Sequence, residues 1–303
     1  MATARPLERI VFAGAHATVG EWRCDRGRAD FRDTGPIEHH LVAFARTSVR
    51  IRHEGGRPFV ADAAVFSVYN RGQRYTRERV HPRGDHCDWW GVDADTARAI
   101  AREVDPHAAH ESDRPFRFDC GPADAALYLD QRALLERMRA GEVDALEAEE
   151  AAMAIIARAL VAARGGPLHA RAARPAHREL AQASVAFVGA RLAETLTLST
   201  IARALGVTPF HLCRVFHAET GMPLHRYVTR LRLCAALEDI TEHDADLCRI
   251  GLDAGFCSHS HFTSAFRREL GVTPSAWRAT ARGACRSGRS SSSRSRPRRP
   301  TTR

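Results

Sequence analysis

The stretch Ile250–Gly271, IGLDAGFCSHSHFTSAFRRELG, repeats in outline an earlier one, Ile201–Gly221, IARALGVTPFHLCRVFHAETG. Ile201 stands five positions before Gly206, and Ile250 five before Gly255. Leu212 and Phe216 are four apart, as are Phe262 and Phe266, and a glycine follows each phenylalanine at five positions. The second copy carries one extra residue in its turn. A small residue after the isoleucine, Ala202 or Gly251, lets two helices cross closely. Gly206 and Gly255 suit the left-handed backbone that often ends a helix. Thr208-Pro209 restarts a helix with a side-chain oxygen cap and a proline at its first position. Ser258 is the matching cap in the second copy. Apolar residues four apart share one buried face. The pattern predicts helix, tight turn, helix, twice over, the arrangement that presents a second helix to a DNA major groove. A generic pair of helical hairpins would share the apolar spacing, but not the joint recurrence of glycines, caps and anchors. A connecting helix from Pro223 to about Ile240 is long enough to hold two recognition helices about 34 Å apart, one turn of DNA.

Three segments around this repeat carry a family resemblance. GMPLHRYVTRLR at 221–232 resembles the linker-helix signature of AraC/XylS-type transcription regulators. AGFCSHSHFTSAFRR at 254–268 resembles their second recognition helix, and GVTPSAWR at 271–278 their closing motif. Gly251 stands where the family usually has alanine, which implies a second unit looser by up to ~1 kcal/mol of helix propensity. By motif position, the resemblance implies base contacts from Phe210, Cys213 and Arg214 in the first recognition helix and from His259, Ser260 and Ser264 in the second. Arg214 is the strongest of these, because a guanidinium fork pairs with guanine O6 and N7; the alternative for it is a phosphate contact. Cys213 serves equally well as a packing residue. His261, mid-helix, is a secondary candidate. Arg226, Arg230, Arg267 and Arg268 suit phosphate contacts, which position without specifying.

Charge supports the same region only locally. The chain of 303 residues has a net charge of +9, and all 45 of its basic residues are arginine. The segment 281–303 holds Arg282, Arg286, Arg289, Arg294, Arg296, Arg298, Arg299 and Arg303 with no acid, so the rest of the chain is nearly neutral. Between Arg203 and Arg232, five arginines face the single acid Glu219 and are placed to meet phosphates. Glu238, Asp239, Glu242, Asp244 and Asp246 follow. They read as a solvated loop facing away from DNA, with a contact to another protein as the alternative.

The N-terminal part has a different pattern. Val49–His53 alternates apolar and basic residues as a half-buried strand does. Glu54-Gly55-Gly56-Arg57 is a hairpin turn, and Phe59-Val60 resumes. Further strands are expected at Ala64–Tyr69, Tyr75–Val80 and His86–Val92, and several short strands at this spacing predict a sandwich or small barrel. The stretches Tyr69–Gln73 and Arg83–Trp90 resemble the sensing region of regulators with a cupin-like barrel, which implies a small-molecule effector or dimer formation. From Ala123 the period turns helical: Leu127, Leu134, Leu135 and Met138 share one face, and Leu146, Met153 and Leu160 recur at steps of seven. These helices either cover the barrel or meet a second subunit.

Other chemistry finds little support. Eight cysteines are scattered without a CxxC pair, which disfavours a zinc or thioredoxin-like site. His39, His40, His53, His81, His86 and Cys87 lack the HxH-then-glutamate order of a cupin metal centre, and adjacent strand residues such as His39 and His40 point to opposite faces. No nucleophile elbow, phosphate loop or zincin motif occurs. No apolar run of about 18 residues predicts a membrane span.

The resulting reading is a multi-domain chain. Residues 1–122 form a mainly β, cupin-like sensing domain; 123–164 a helical, dimerising segment; 165–176 a linker; 177–282 an all-α AraC-type DNA-binding domain with two helix-turn-helix units; and 283–303 a disordered Arg/Ser-rich tail. The expected function is a cytoplasmic, sequence-specific transcription regulator rather than an enzyme, with no cofactor or metal. Its expected partners are double-stranded DNA, a small-molecule effector, RNA polymerase and a second copy of the chain, with no membrane. The competing readings are a barrel enzyme with an accessory DNA module and an architectural module that uses DNA only as an anchor.

Overall fold

The computed structural model describes residues 8–24, 33–105, 113–165 and 174–280. The expected Arg/Ser-rich tail and most of the expected linker lie outside these residues.

Ten strands are described: β1 (Glu8–Ala13), β2 (Ala17–Cys24), β3 (Asp33–Thr34), β4 (His40–Ala45), β5 (Val49–His53), β6 (Phe59–Ala61), β7 (Val65–Tyr69), β8 (Tyr75–Arg79), β9 (Asp85–Val92) and β10 (Cys120–Pro122). The strands expected from 49 onward stand within a residue of their sequence limits. Val49, Ile51 and His53 are buried while Arg52 is exposed, as the alternation requires. All pairings are antiparallel. A six-stranded sheet runs β1-β2-β9-β4-β7-β10 and a four-stranded sheet β3-β8-β5-β6. Among the described strands neither sheet closes on itself, so the molecule shows two antiparallel sheets where a barrel is expected.

Helices cover the outer face of the larger sheet. Helix α1 (Ala94–Val104) follows β9 directly, with Asp93 capping it by accepting from the Asp95 and Thr96 amides. Helices α2 (Ala125–Arg139) and α3 (Ala145–Gly165) occupy the segment with helical period. Ala152, Ile156, Ala159 and Ala163 pack α3 across β2, β9, β4 and β10. Leu160 of the seven-step series is buried, but Leu146 is 67% exposed, because the 3.6-residue turn carries a strict seven-step series off the buried face.

The remaining helices are α4 (Pro175–Ala190), α5 (Leu198–Ala204), α6 (Pro209–Thr220), α7 (Leu224–Glu242), α8 (Leu247–Asp253) and α9 (His259–Leu270). The first helical unit shares a core with the sheets: Phe44, Phe66, Ile201, Leu212, Phe216 and Tyr227 belong to one buried cluster. Helix α4 joins the two halves closely. Its Gly189 lies against Ser48, where a Cβ would come within 2.6 Å of the hydroxyl, and Gln182 accepts from the Val60 amide. The second unit has a core of its own, with Leu237, Phe262, Phe266 and Trp277, against which α2 lays Ala125, Leu129 and Ala133. Trp277 of the closing motif donates its indole N–H to Thr241 at 3.0 Å and so pins the end of the module to α7.

Candidate nucleic-acid interface and interior cavity

Each helix-turn-helix unit is built by the local signals in its sequence. Thr208 accepts from the His211 amide at the start of α6, with Pro209 at its first turn. Ser258 accepts from the His261 amide at the start of α9. The turns before them pass through Gly206 at φ 68° and Gly255 at φ 87°, backbone that side chains with a Cβ rarely adopt. Leu212, Val215 and Phe216 bury one face of α6, and Phe262, Ala265 and Phe266 one face of α9.

Gly251 has a packing role rather than a loosening one. A Cβ there would lie 2.8 Å from Cγ of Phe262 and 2.9 Å from its Cδ1. In the first unit the matching positions hold Ala202 and Leu212, both buried in one core cluster. The second unit carries the larger Phe262 and gives up the methyl of residue 251 to fit it.

The opposite faces remain open. Phe210 is 79% exposed, and Cys213 and Arg214 are exposed beside it on α6. His217, one turn further on, continues this stripe; its spacing of three from Arg214 was the sequence signal for it. On α9, His259, Ser260, Ser264 and Arg267 are exposed along the corresponding face. Among the described residues, no ion pair engages Arg214 or Arg267. His261 is exposed but turns to Cys257, with Nδ1 3.2 Å from Sγ. Arg226 and Arg268 both reach Glu269, at 3.1 and 3.4 Å, from exposed positions.

Two of the five arginines between 203 and 232 do not face solvent as the sequence suggests. Arg230 is 6% exposed and donates to the carbonyls of Ala123 and Ala63, so in this arrangement it tethers α7 to the N-terminal half and does not reach a phosphate. Arg232 donates to the carbonyls of Leu192, Glu194 and Gly255, tying both units to α7.

The acidic stretch is also placed differently. Glu238 and Asp239 belong to α7 and meet arginines of the N-terminal half. Glu238 accepts from Arg46 at 3.3 Å and pairs with Arg132 of α2 at 3.2 Å. Asp239 pairs with Arg83 at 3.1 Å, and Glu242 with Arg23. Arg46 also bonds Asp88 of β9 and Glu21 of β2, and Arg132 bonds Asp88 at 3.0 Å. Burial would raise the Asp88 carboxyl, but the Arg46 and Arg132 guanidiniums overcome it and hold it at about 2. At the first unit's end of α7, Tyr227 donates its hydroxyl to Asp62.

Behind this network lies a cavity of about 220 Å³ between the two sheets. Leu41, Ala43 and Ala45 of β4 and Asp85, Cys87 and Trp89 of β9 line it. Strand alternation sends the neighbours of these residues to the other face: Asp88 to Arg46 and Arg132, and Trp90 to Gln131 of α2 at 3.2 Å. The cavity and the contacts that hold α7 are thus separated by the thickness of one strand. His39 lines the cavity, stacked on Trp89 at 5.7 Å, whereas the adjacent His40 is buried and bonds Asn70. Sequence reasoning missed this cavity and the arginine–carboxylate network, because their residues are brought together from distant positions.

Comparison with known proteins agrees with the helical geometry. The family model described as a helix-turn-helix domain matches residues 201–280. The HTH-type transcriptional activator AarP of Providencia stuartii is 35% identical over 92 residues, which are 30% of this chain and 68% of that protein. The probable transcription factor PqrA of Proteus vulgaris is 34% identical over 85 residues, 28% of this chain and 70% of that protein. A crystal structure of an AraC-type regulator from Chromobacterium violaceum matches 36% of this chain and 96% of that one, at 29% identity and a TM-score of 0.34. Two helix-turn-helix units with these caps and anchors, and relatives matched over most of their own length, place the chain in the AraC/XylS family of DNA-binding transcription regulators.

Proposed function

We propose that this regulator reads two adjacent major-groove segments and that a small molecule bound in the N-terminal cavity controls how it does so. The observation that carries the reading is the double use of β4 and β9. One face of each strand lines the cavity, and the other face or the following residue (Asp88, Arg46) holds the helix that joins the two units. Phe210, Cys213 and Arg214 read bases in one segment, and His259, Ser260 and Ser264 in the other. Arg226, Arg267 and Arg268 contact phosphates. Helix α7 has 19 residues and is about 28 Å long, which suits recognition helices one turn of DNA apart.

The N-terminal half acts as a cupin-like sensing unit, a reading supported by two antiparallel sheets with a cavity between them. A ligand shifts the molecule only to the extent that it prefers one arrangement of the halves. The chain works by binding rather than catalysis, in the cytoplasm, and engages RNA polymerase at its sites; the relative AarP is described as an activator. A second copy is expected to pack on the outer face of α3, where Leu146 and Val161 are 67% and 58% exposed. Sedimentation of the full chain should give a dimer, and Leu146→Glu with Val161→Glu a monomer.

Hydroxyl-radical footprinting of the full chain on bound DNA tests the main reading. Two protected patches on one face, one helical turn apart, are expected. A single patch would mean that only one unit enters the groove.

A further inference from the structure

The chemistry of the cavity wall selects among ligands. Its deep part is apolar and aromatic, with Leu41, Ile51, Tyr69 and Trp89 all buried. Its rim is formed by exposed residues, Glu8 and Glu38 among them. In a chain with 45 arginines, no arginine lines this cavity among the described residues. The one deep carboxylate, Asp85, is already held by Arg77 at 2.7 Å. The two rim carboxylates are different: no ion pair among the described residues joins either to an arginine. Burial raises the Glu8 carboxyl above its ordinary range, and the charge of Glu38 raises it further. A positive group beside both would relieve that repulsion.

We infer that this cavity takes a lipophilic organic cation, an aryl- or alkylammonium whose hydrocarbon body sits between the sheets and whose charged head lies beside Glu8 and Glu38. The inference rests on the reading of the cavity as the effector site and adds the class of ligand. Neutral and anionic molecules of the same shape fill the apolar part equally well and differ only at the rim.

The test uses three probes of one shape, 4-phenylbutylamine, 4-phenylbutanol and 4-phenylbutyrate, titrated calorimetrically into the full chain at neutral pH. The amine is expected to bind about tenfold more tightly than the alcohol, from two partly exposed carboxylates each contributing up to about 1 kcal/mol, and the butyrate most weakly. Glu8→Gln with Glu38→Gln should bring the amine down to the alcohol and leave alcohol binding unchanged, which also shows that the cavity is intact. An alcohol or butyrate that binds as tightly as the amine overturns the cation assignment while leaving the cavity a binding site. So does an amine preference that survives the double variant. If none of the three binds to protein that still binds DNA, the effector-cavity reading falls with it.

Discussion

Glu238, in the middle of α7, accepts a hydrogen bond from Arg46, just after β4, across the boundary between the sheets and the DNA-binding helices. Arg46 is 7% and Glu238 8% exposed, so this pair is shielded from water. Without Glu238, Arg46 keeps Glu21 and Asp88 and Arg132 keeps Asp88, so neither arginine is left uncompensated and the loss is that of charge-assisted hydrogen bonds. Glu238→Gln is therefore expected to lower folding stability by about 2 kcal/mol and to speed amide exchange along α7. Glu78→Gln, which breaks an exposed pair with Arg50, should cost under about 1 kcal/mol. Denaturant titration of the two variants checks the contrast; equal effects would mean that the buried network does not hold α7.

The fit of Gly251 to Phe262 predicts a compensating pair. Gly251→Ala gains helix propensity of about 1 kcal/mol, but its methyl would lie at 2.8 to 3.0 Å from three atoms of Phe262. Overpacking of this kind costs about 1 to 3 kcal/mol, so the single variant should be less stable. Phe262→Leu alone opens a cavity and should also be less stable. The double variant carries the alanine and leucine that the first unit has at 202 and 212 and should lose less than the sum of the two. Thermal denaturation of all three measures the coupling; strict additivity would contradict the packing account.

Asp62 gives the contact at Tyr227 a pH dependence. Burial raises its carboxyl from 3.8 to about 6, against the bond from Tyr227 and the amide of Ala64. The folded chain thus binds this proton more tightly than the unfolded chain. Stability is favoured below the unfolded value and is lost as pH rises through about 6. Asp62→Asn removes the charge and should make the protein more stable than the wild type at pH 7, by on the order of 2 kcal/mol. The difference should shrink as pH falls toward 4. A difference independent of pH would show that Asp62 does not titrate in this interval.

What could be read from sequence follows the range of the interactions. The caps Thr208 and Ser258 and the glycine turns depend on residues within a few positions, and the structure has them as the spacing implies. Strand β5 shows its alternation, whereas β4 is buried at all six positions and has no such period to read. Helix α1 follows β9 after the single capping residue Asp93, a local signal of the same kind as Thr208 and Ser258. Gly251 shows the limit of local reasoning: propensity alone makes it a weak alanine, and only the ring of Phe262 explains it. Glu238, Asp239 and Arg230 look like solvated charges because their partners, Arg46, Arg83 and the carbonyl of Ala123, lie more than a hundred residues away.

In-vitro selection of DNA by the full chain, beside Arg214→Ala and Ser264→Ala, tests the two-helix reading most directly. The wild type should recover a motif with two contact blocks about one helical turn apart. Arg214→Ala should blur one block, with a loss of about 1 to 3 kcal/mol there, and Ser264→Ala should weaken only the other. Selection without any sequence preference at physiological salt, or both variants acting on the same block, would contradict it.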